Sequence, residues 1–323
     1  TLSILLAFIA YRLQKREKDI VEELEKAPAQ ALEAKEENLD DMLHVDLLEM
    51  EVGYGLIPLV DAAQNGELLN RIRSIRKQFA TDMGFVVPPV HIKDNLQLKP
   101  NEYALLLKGV RIAGGEVLPG HCLAMNPGGA TETLKGVETV EPAFGLPAIW
   151  ITEDRKNQAQ MAGYTVVDCT TVISTHLSEL IRQHAHEILG RQEVQNLLDN
   201  ISRKSPKLVE ELVPGQLSLG SVMHVLRNLL RENVPIRDMR TILETLADHA
   251  PTTRDPDMLT EYVRQSLSRS ISMRLIAEDG TLPLLSFDRA LEEKIQKSLQ
   301  HSGEGSYLAL DPSLAQKIVQ NLR

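Results

Sequence analysis

The sequence predicts a multidomain fold: an α/β part carrying a small α/β insert, then a helical part, then a closing α/β part apparently incomplete at the C-terminus. Three observations carry this expectation. At 323 residues the chain exceeds what a single hydrophobic core usually organises. Strand and helix periods alternate up to Leu189, and helix spacing alone then runs to Leu267. Beyond Leu267, short apolar runs again alternate with amphipathic ones.

Composition narrows the function classes. The chain is 43% hydrophobic and 25% charged, as ordinary globular proteins are, but only 4% aromatic, so packing rests on Leu, Ile, Val and Met. Its two cysteines, Cys122 and Cys169, form no C-x-x-C pair, which argues against a disulfide framework or a zinc finger. Net charge is −10, and between Leu13 and Glu51 there are 13 acids against 5 bases. The remainder is nearly neutral and lacks the basic surface that nucleic-acid binding requires.

The elements follow in order. "TLSILLAFIAY" is apolar but too short for the ~20 residues of a membrane span. The cations Arg12, Lys15, Arg16 and Lys18 follow it, so 1–11 reads as the cytoplasmic end of a transmembrane helix cut short. Residues 12–46 read as an acidic, helix-prone linker interrupted by Pro28, with Leu39, Met42 and Leu43 free to dock. Globular sequence begins near Val45.

"EVGYGLIPLVD" reads as a strand ending at Asp61. Leu68, Leu69, Ile72, Ile75 and Phe79 recur at helical spacing, and Gly84 closes that helix. "VVPPVHIKD" and "EYALLLKGVRIAGGEVLPG" read as strands with turns at Pro100-Asn101 and Gly114-Gly115. From Gly120 to Asp168, short strands and Gly/Pro turns mark the insert. One long helix is expected from Thr170 to Leu189. Amphipathic segments from Gln192 to Leu267, punctuated by Pro206, Pro214, Pro235 and Pro251, form the helical part. "LPLLSFDRALEEKIQKSLQ" and "LALDPSLAQKIVQNLR" each read as strand then helix, the last helix capped by Asp311.

Candidate chemistry is thin. "STHLSELIRQHAHEILGRQE" offers His176, His184 and His186 among acids, the inventory of a metal site. At about 100° per residue, however, His184 and His186 point ~200° apart, and neither H-E-x-x-H nor E-x-x-H occurs. A wet helix face of His176, Glu179, Gln183, His186 and Glu187 is the expectation. "NPGGATET" (126–133) lacks the G-K-[ST] of a phosphate loop and reads as a turn. No G-x-S-x-G occurs, and neither cysteine sits in an activating context. Phe144, in "VEPAFGLPAIWI", serves no core periodicity; it is either a core plug or an anchor for a partner.

"GELLNRIRSIRKQFATDMGF", "EPAFGLPAIWI", "GYTVVDCTTVISTHLSELIRQHAHEILGRQE" and "NVPIRDMRTILETLADHAP" together closely resemble the cytoplasmic region of the FlhA family. These are flagellar export-gate proteins, related more distantly to the export gates of virulence type III secretion systems. The resemblance implies a non-enzymatic multi-pass protein of the bacterial inner membrane, without cofactor or metal. Its cytoplasmic region is expected to form a ring, a homo-nonamer, that receives flagellar export chaperone–substrate complexes and other export-apparatus proteins. In family terms, 47–119 and 169–188 make a split first subdomain around an inserted second at 120–168. A helical third covers 189–268 and a truncated fourth covers 269–323.

The resemblance also implies a chaperone-binding cleft whose key residues are Glu141, Phe144 and Thr175, with Pro127, Val167 and Val172 as apolar neighbours. Glu141 stands where the family more often carries Asp. Arg76 and Lys77 match a basic pair, and Gly53 matches a glycine tied to domain mobility. A virulence export gate is the nearest alternative. A metal-dependent hydrolase built on the histidines is the alternative from another class.

Overall fold

Near the start of the folded region, Leu48, Met50 and Val52 alternate with half-buried glutamates, the period-two pattern of a strand with one face inward. The computed structural model describes residues 45–61, 66–277, 279–284, 286–302 and 305–321. The expected membrane-helix end, and the linker up to residue 44 with Leu39, Met42 and Leu43, lie outside the described residues. Among the described residues, no helix is long and apolar enough to cross a membrane.

The strand is β1 (Leu48–Val52), and it stops earlier than expected. "YGLIPLV" instead forms a helical turn at Tyr54–Leu56 and the short helix α1 (Ile57–Val60). Pro58 explains the correction: it cannot donate to a strand ladder but is welcome in the first turn of a helix. Helix α2 (Leu68–Met83) buries Leu68, Ile72, Phe79 and Met83 and ends at Gly84, whose φ of 97° suits glycine.

Beyond α2 come β2 (Val90–Asp94), β3 (Glu102–Leu107) and β4 (Val110–Glu116). The first sheet runs in the order β2-β1-β3-β4, with β1 and β2 parallel and the other neighbours antiparallel. The turn expected at Gly114-Gly115 lies instead at Lys108-Gly109, where φ is 52° and 75°. The paired glycines are inside β4 because Tyr103 of β3 leaves no room for side chains. A Cβ on Gly114 would fall 2.6 Å from the Tyr103 carbonyl oxygen, and one on Gly115 2.9 Å from the Tyr103 hydroxyl.

A second sheet, in the order β6-β7-β5-β8, is antiparallel throughout. It comprises β5 (His121–Met125), β6 (Val137–Val140), β7 (Pro147–Thr152) and β8 (Thr165–Asp168), with α3 (Lys156–Met161) before β8. Strand β5 is buried on both faces. Cys122 and Ala124 join Ile151, Ala159 and Tyr164 in a small core, while Leu123 belongs to the main core with Trp150 and Val172.

Helix α4 (Cys169–Gln183) follows β8 directly, capped by Asp168, whose carboxylate accepts the Thr171 N–H at 2.7 Å. The long helix expected to reach Leu189 breaks at His184 (φ −100°, ψ 14°), and α5 (Ala185–Ile188) continues in a new direction. The break lets Ala185, Ile188 and Leu189 all reach the main core.

The helical part comprises α6 (Arg191–Ser202), α7 (Pro206–Glu210), α8 (Leu219–Arg231), α9 (Met239–His249), α10 (Pro256–Ser266) and α11 (Ser268–Leu275). Ser218, Asp238 and Asp255 cap α8, α9 and α10 through side-chain oxygens. Val225, Leu229, Leu243, Leu246, Leu259 and Val263 extend the main core through these helices. Further on, α12 (Arg289–Ser298) precedes a hairpin of β9 (Leu299–Ser302) and β10 (Gly305–Leu308), then α13 (Pro312–Asn321), capped by Asp311 as expected. The described residues of "LPLLSF" do not form the expected strand. Pro283 removes a donor, and no described strand pairs with that run.

Candidate functional site

Strands β6 and β7 pair as far as Val140 and Pro147, and Glu141 to Leu146 connect them. Within this connection the Glu141 amide donates to the Leu146 carbonyl at 2.8 Å and the Gly145 amide donates to the Glu141 carbonyl at 2.9 Å. Gly145 takes a positive φ of 69° to complete the turn. The Glu141 side chain folds back into it. One carboxylate oxygen accepts the Ala143 N–H at 3.0 Å and the other accepts the Phe144 N–H at 2.7 Å. Pro142, which precedes both, has no N–H to satisfy.

Glu141 is therefore 3% exposed, whereas Phe144, two residues past the proline, stands 62% exposed. The core-plug reading of Phe144 fails. The aromatic is held outward by a turn whose amides are fixed from below by a carboxylate.

Phe144 overlooks a cavity of ≈ 280 Å³. Pro127, Glu141, Phe144, Val167, Val172 and Thr175 all line it, although they come from four stretches of chain. Helix α4 supplies Val172 and Thr175, β8 supplies Val167, and Pro127 follows β5. Asn126 shapes the last of these by accepting the Gly128 and Ala130 N–H groups at 2.8 and 3.2 Å. The sequence reading missed Met125, Leu146, Thr165 and Thr171, which share the lining. Leu146 carried a signal: it sits beside Phe144 in the same turn and is 50% exposed.

A second cavity of ≈ 340 Å³ also borders the Phe144 ring. Ile75, Phe144, Ser174, Thr175, Ser178, Glu179 and Arg182 line it, so Phe144 and Thr175 form a wall common to both. Apart from Glu141, the first chamber is lined by apolar and hydroxyl or amide side chains, whereas the second carries both a cation and a carboxylate.

Beneath the cleft, His176 is 5% exposed, and its Nδ1 lies 2.7 Å from the Tyr103 hydroxyl. This corrects the expected wet face: α4 turns His176 inward onto β3, and the phenol satisfies the imidazole. Burial pushes the His176 pKa down, with the Glu141 charge opposing, and burial then the same charge pushes Tyr103 up. His184 pairs instead with Glu187 at 2.8 Å. Among the described residues, no three His, Cys, Asp or Glu side chains gather at metal-binding spacing. Both thiols are buried, and burial pushes that of Cys169 up to about 12, far from a thiolate nucleophile.

Three further residues, Gly53, Arg76 and Lys77, lie outside this lining. Gly53 follows β1, where its amide donates to the Glu102 carbonyl at 2.8 Å. Its φ of −68° is ordinary, and glycine is required by contact instead: a Cβ would lie 2.0 Å from the Lys99 carbonyl oxygen. The basic pair divides its roles. Arg76 Nε donates to the Val87 carbonyl at 2.9 Å, while Lys77 is exposed.

Fold and cleft together define a class: an α/β-and-α module with an exposed aromatic over a cleft, similar in fold to solved type III secretion domains. The Chlamydia pneumoniae CdsV protein, in its complex with CdsO, superposes with a TM-score of 0.78 at 29% identity, covering 88% of this chain and 84% of that one. The nonameric EscV cytosolic domain from the type III secretion system superposes at 0.66 and 25% identity, covering 86% and 81%. The chain belongs to the FHIPEP family, whose pattern matches residues 1–323. The flagellar biosynthesis protein FlhA of Bacillus subtilis (strain 168) is 47% identical over 321 residues, 98% of this chain. The chain spans 47% of that relative's length.

Proposed function

We propose that the chain is the cytoplasmic docking region of a flagellar type III export gate, and that its cleft receives export chaperone–substrate complexes. The observation that carries this reading is the convergence of six separately named residues on one cavity, beneath an aromatic that the fold holds out of its core. An exposed Phe flanked by apolar walls has the form of a binding hot spot. The role is one of binding, without catalysis, cofactor or nucleic acid. Assembly into a nonameric ring, with other export-apparatus proteins as further partners, is supported by likeness to the nonameric EscV domain. The ring would sit at the cytoplasmic face of the inner membrane, with 1–11 ending a membrane helix and 12–46 linking it to the ring. The first subdomain would be 47–119 with 169–188, the second 120–168, the third 189–268 and the fourth 269–323. The higher identity to the flagellar relative than to the secretion domains favours a flagellar over a virulence gate.

Replacement of Phe144 by Ala tests the reading. A phenylalanine can bury ~200 Å². With 62% still exposed, roughly 120 Å² is left for a partner, worth about 3 kcal/mol, or ~100-fold in affinity. Calorimetry with flagellar chaperone–substrate complexes should show that loss while the variant melts like the parent. An undiminished affinity would remove the cleft as the docking site.

A further inference from the structure

We infer that the second chamber is a carboxylate-accepting subsite and that Arg182 is its specificity-determining residue; this deepens the docking reading above and rests on it. Arg182 is half-buried on the last turn of α4, in a cavity it shares with Phe144 and Thr175. Among the described residues no acid pairs with it. Two guanidinium groups of α2 are by contrast engaged: Arg71 meets Glu67 and Asp168, and Arg76 holds the Val87 carbonyl. Glu179 lines the same chamber, but one of its oxygens accepts the Gln183 amide at 3.1 Å. Ser178 and Thr175 add hydroxyl donors beside the cation.

The arrangement selects a ligand chemistry. Because one ring and one threonine wall both chambers, a single partner segment fills both. It places an apolar side chain in the first chamber and an aspartate or glutamate in the second. A helix offers two such side chains on one face three or four residues apart. Arginine suits the second position because its planar fork takes a carboxylate through two parallel N–H bonds. Glu179 sharpens the choice, since it repels a carboxylate displaced from Arg182 toward it.

The test titrates the flagellar chaperone–substrate complex that the intact chain retains into four variants at low and high salt: Arg182→Gln, Arg182→Glu, Glu179→Gln and Phe144→Ala. Arg182→Gln should weaken binding at least about tenfold at low salt, with the difference shrinking at high salt. Arg182→Glu should weaken it further, Glu179→Gln should tighten it, and the Phe144→Ala loss should persist at both salts. Changing the partner's acid to lysine should restore binding to Arg182→Glu. Arg182 also sits where a cation steadies a helix C-terminus. A purely structural role would therefore lower the melting temperature of Arg182→Gln and leave affinity within twofold, and that result overturns the inference. If Phe144→Ala also binds normally, the docking reading itself falls. If Phe144→Ala alone loses binding, the cleft stands and only the carboxylate subsite is refuted.

Discussion

Glu141→Ala removes a carboxylate that lines the cleft and accepts hydrogen bonds from its own turn. It holds the Ala143 and Phe144 N–H groups at 3.0 and 2.7 Å. Bonds to a charged acceptor are worth about 1.5–3 kcal/mol each, so the gross loss is about 3–6 kcal/mol. Two terms reduce it: Ala143 and Phe144 lie near enough to the surface for water to replace part of the bonding, and a buried charge no longer has to be desolvated. The expected net cost is about 2 kcal/mol, concentrated in this turn. Hydrogen exchange reads it directly, as ~30-fold faster exchange at the Ala143 and Phe144 amides. Partner affinity should fall with it, because Phe144 is no longer held outward. Glu141→Asp should keep both, since an aspartate commonly accepts the N–H groups two and three residues on. If the alanine variant loses affinity while both amides exchange as slowly as before, the carboxylate acts by touching the partner, and positioning is refuted.

Gly53→Ala places a Cβ 2.0 Å from the Lys99 carbonyl oxygen and 2.7 Å from that of Pro100. The end of β1 must then move away from that turn, at about 2 kcal/mol, lowering Tm by roughly 4–8 °C; an unchanged melting curve would show that the close approach relaxes freely. His176 gives a pH dependence. Its folded-state pKa is depressed by burial, so below about pH 6.5 the unfolded chain binds the extra proton. The stability is fully present above that pH and is lost as pH falls through it, by up to ~1.4 kcal/mol per unit. Urea unfolding between pH 5.5 and 7.5 should show the slope, and a Tyr103→Phe, His176→Leu double variant should reduce it. His186, also depressed by burial, contributes in the same direction. Identical slopes in parent and double variant would refute the assignment.

Legibility varied with the range of the interaction concerned. Helix α2 was readable because apolar residues recur at its own period and Gly84 provides the left-handed stop. The cap at Asp311 was readable because it acts within three residues. Misreadings arose where a residue answers to something distant in sequence. Gly114 and Gly115 suggest a turn by type, yet they make room for Tyr103 on the neighbouring strand. The apolar run after Gly53 suggests a strand, but only a ladder partner makes one, and Pro58 starts a helical turn instead.

By itself, the sequence determined the order of α/β, insert and helical parts, the family resemblance, and the residues worth watching around Glu141, Phe144 and Thr175. The order of parts follows from local spacing and turn chemistry, which act over a few residues, and so does the oddity of Phe144; Glu141 and Thr175 are what the family resemblance implies. The tertiary structure alone decided that Phe144 faces solvent while Glu141 is consumed by its own turn. It also decided that His176 is buried against a tyrosine 73 positions away, and that Arg182 shares a wall with Phe144. The physical reason is that periodicity identifies the apolar face of an element but carries no record of which distant side chain will cover it.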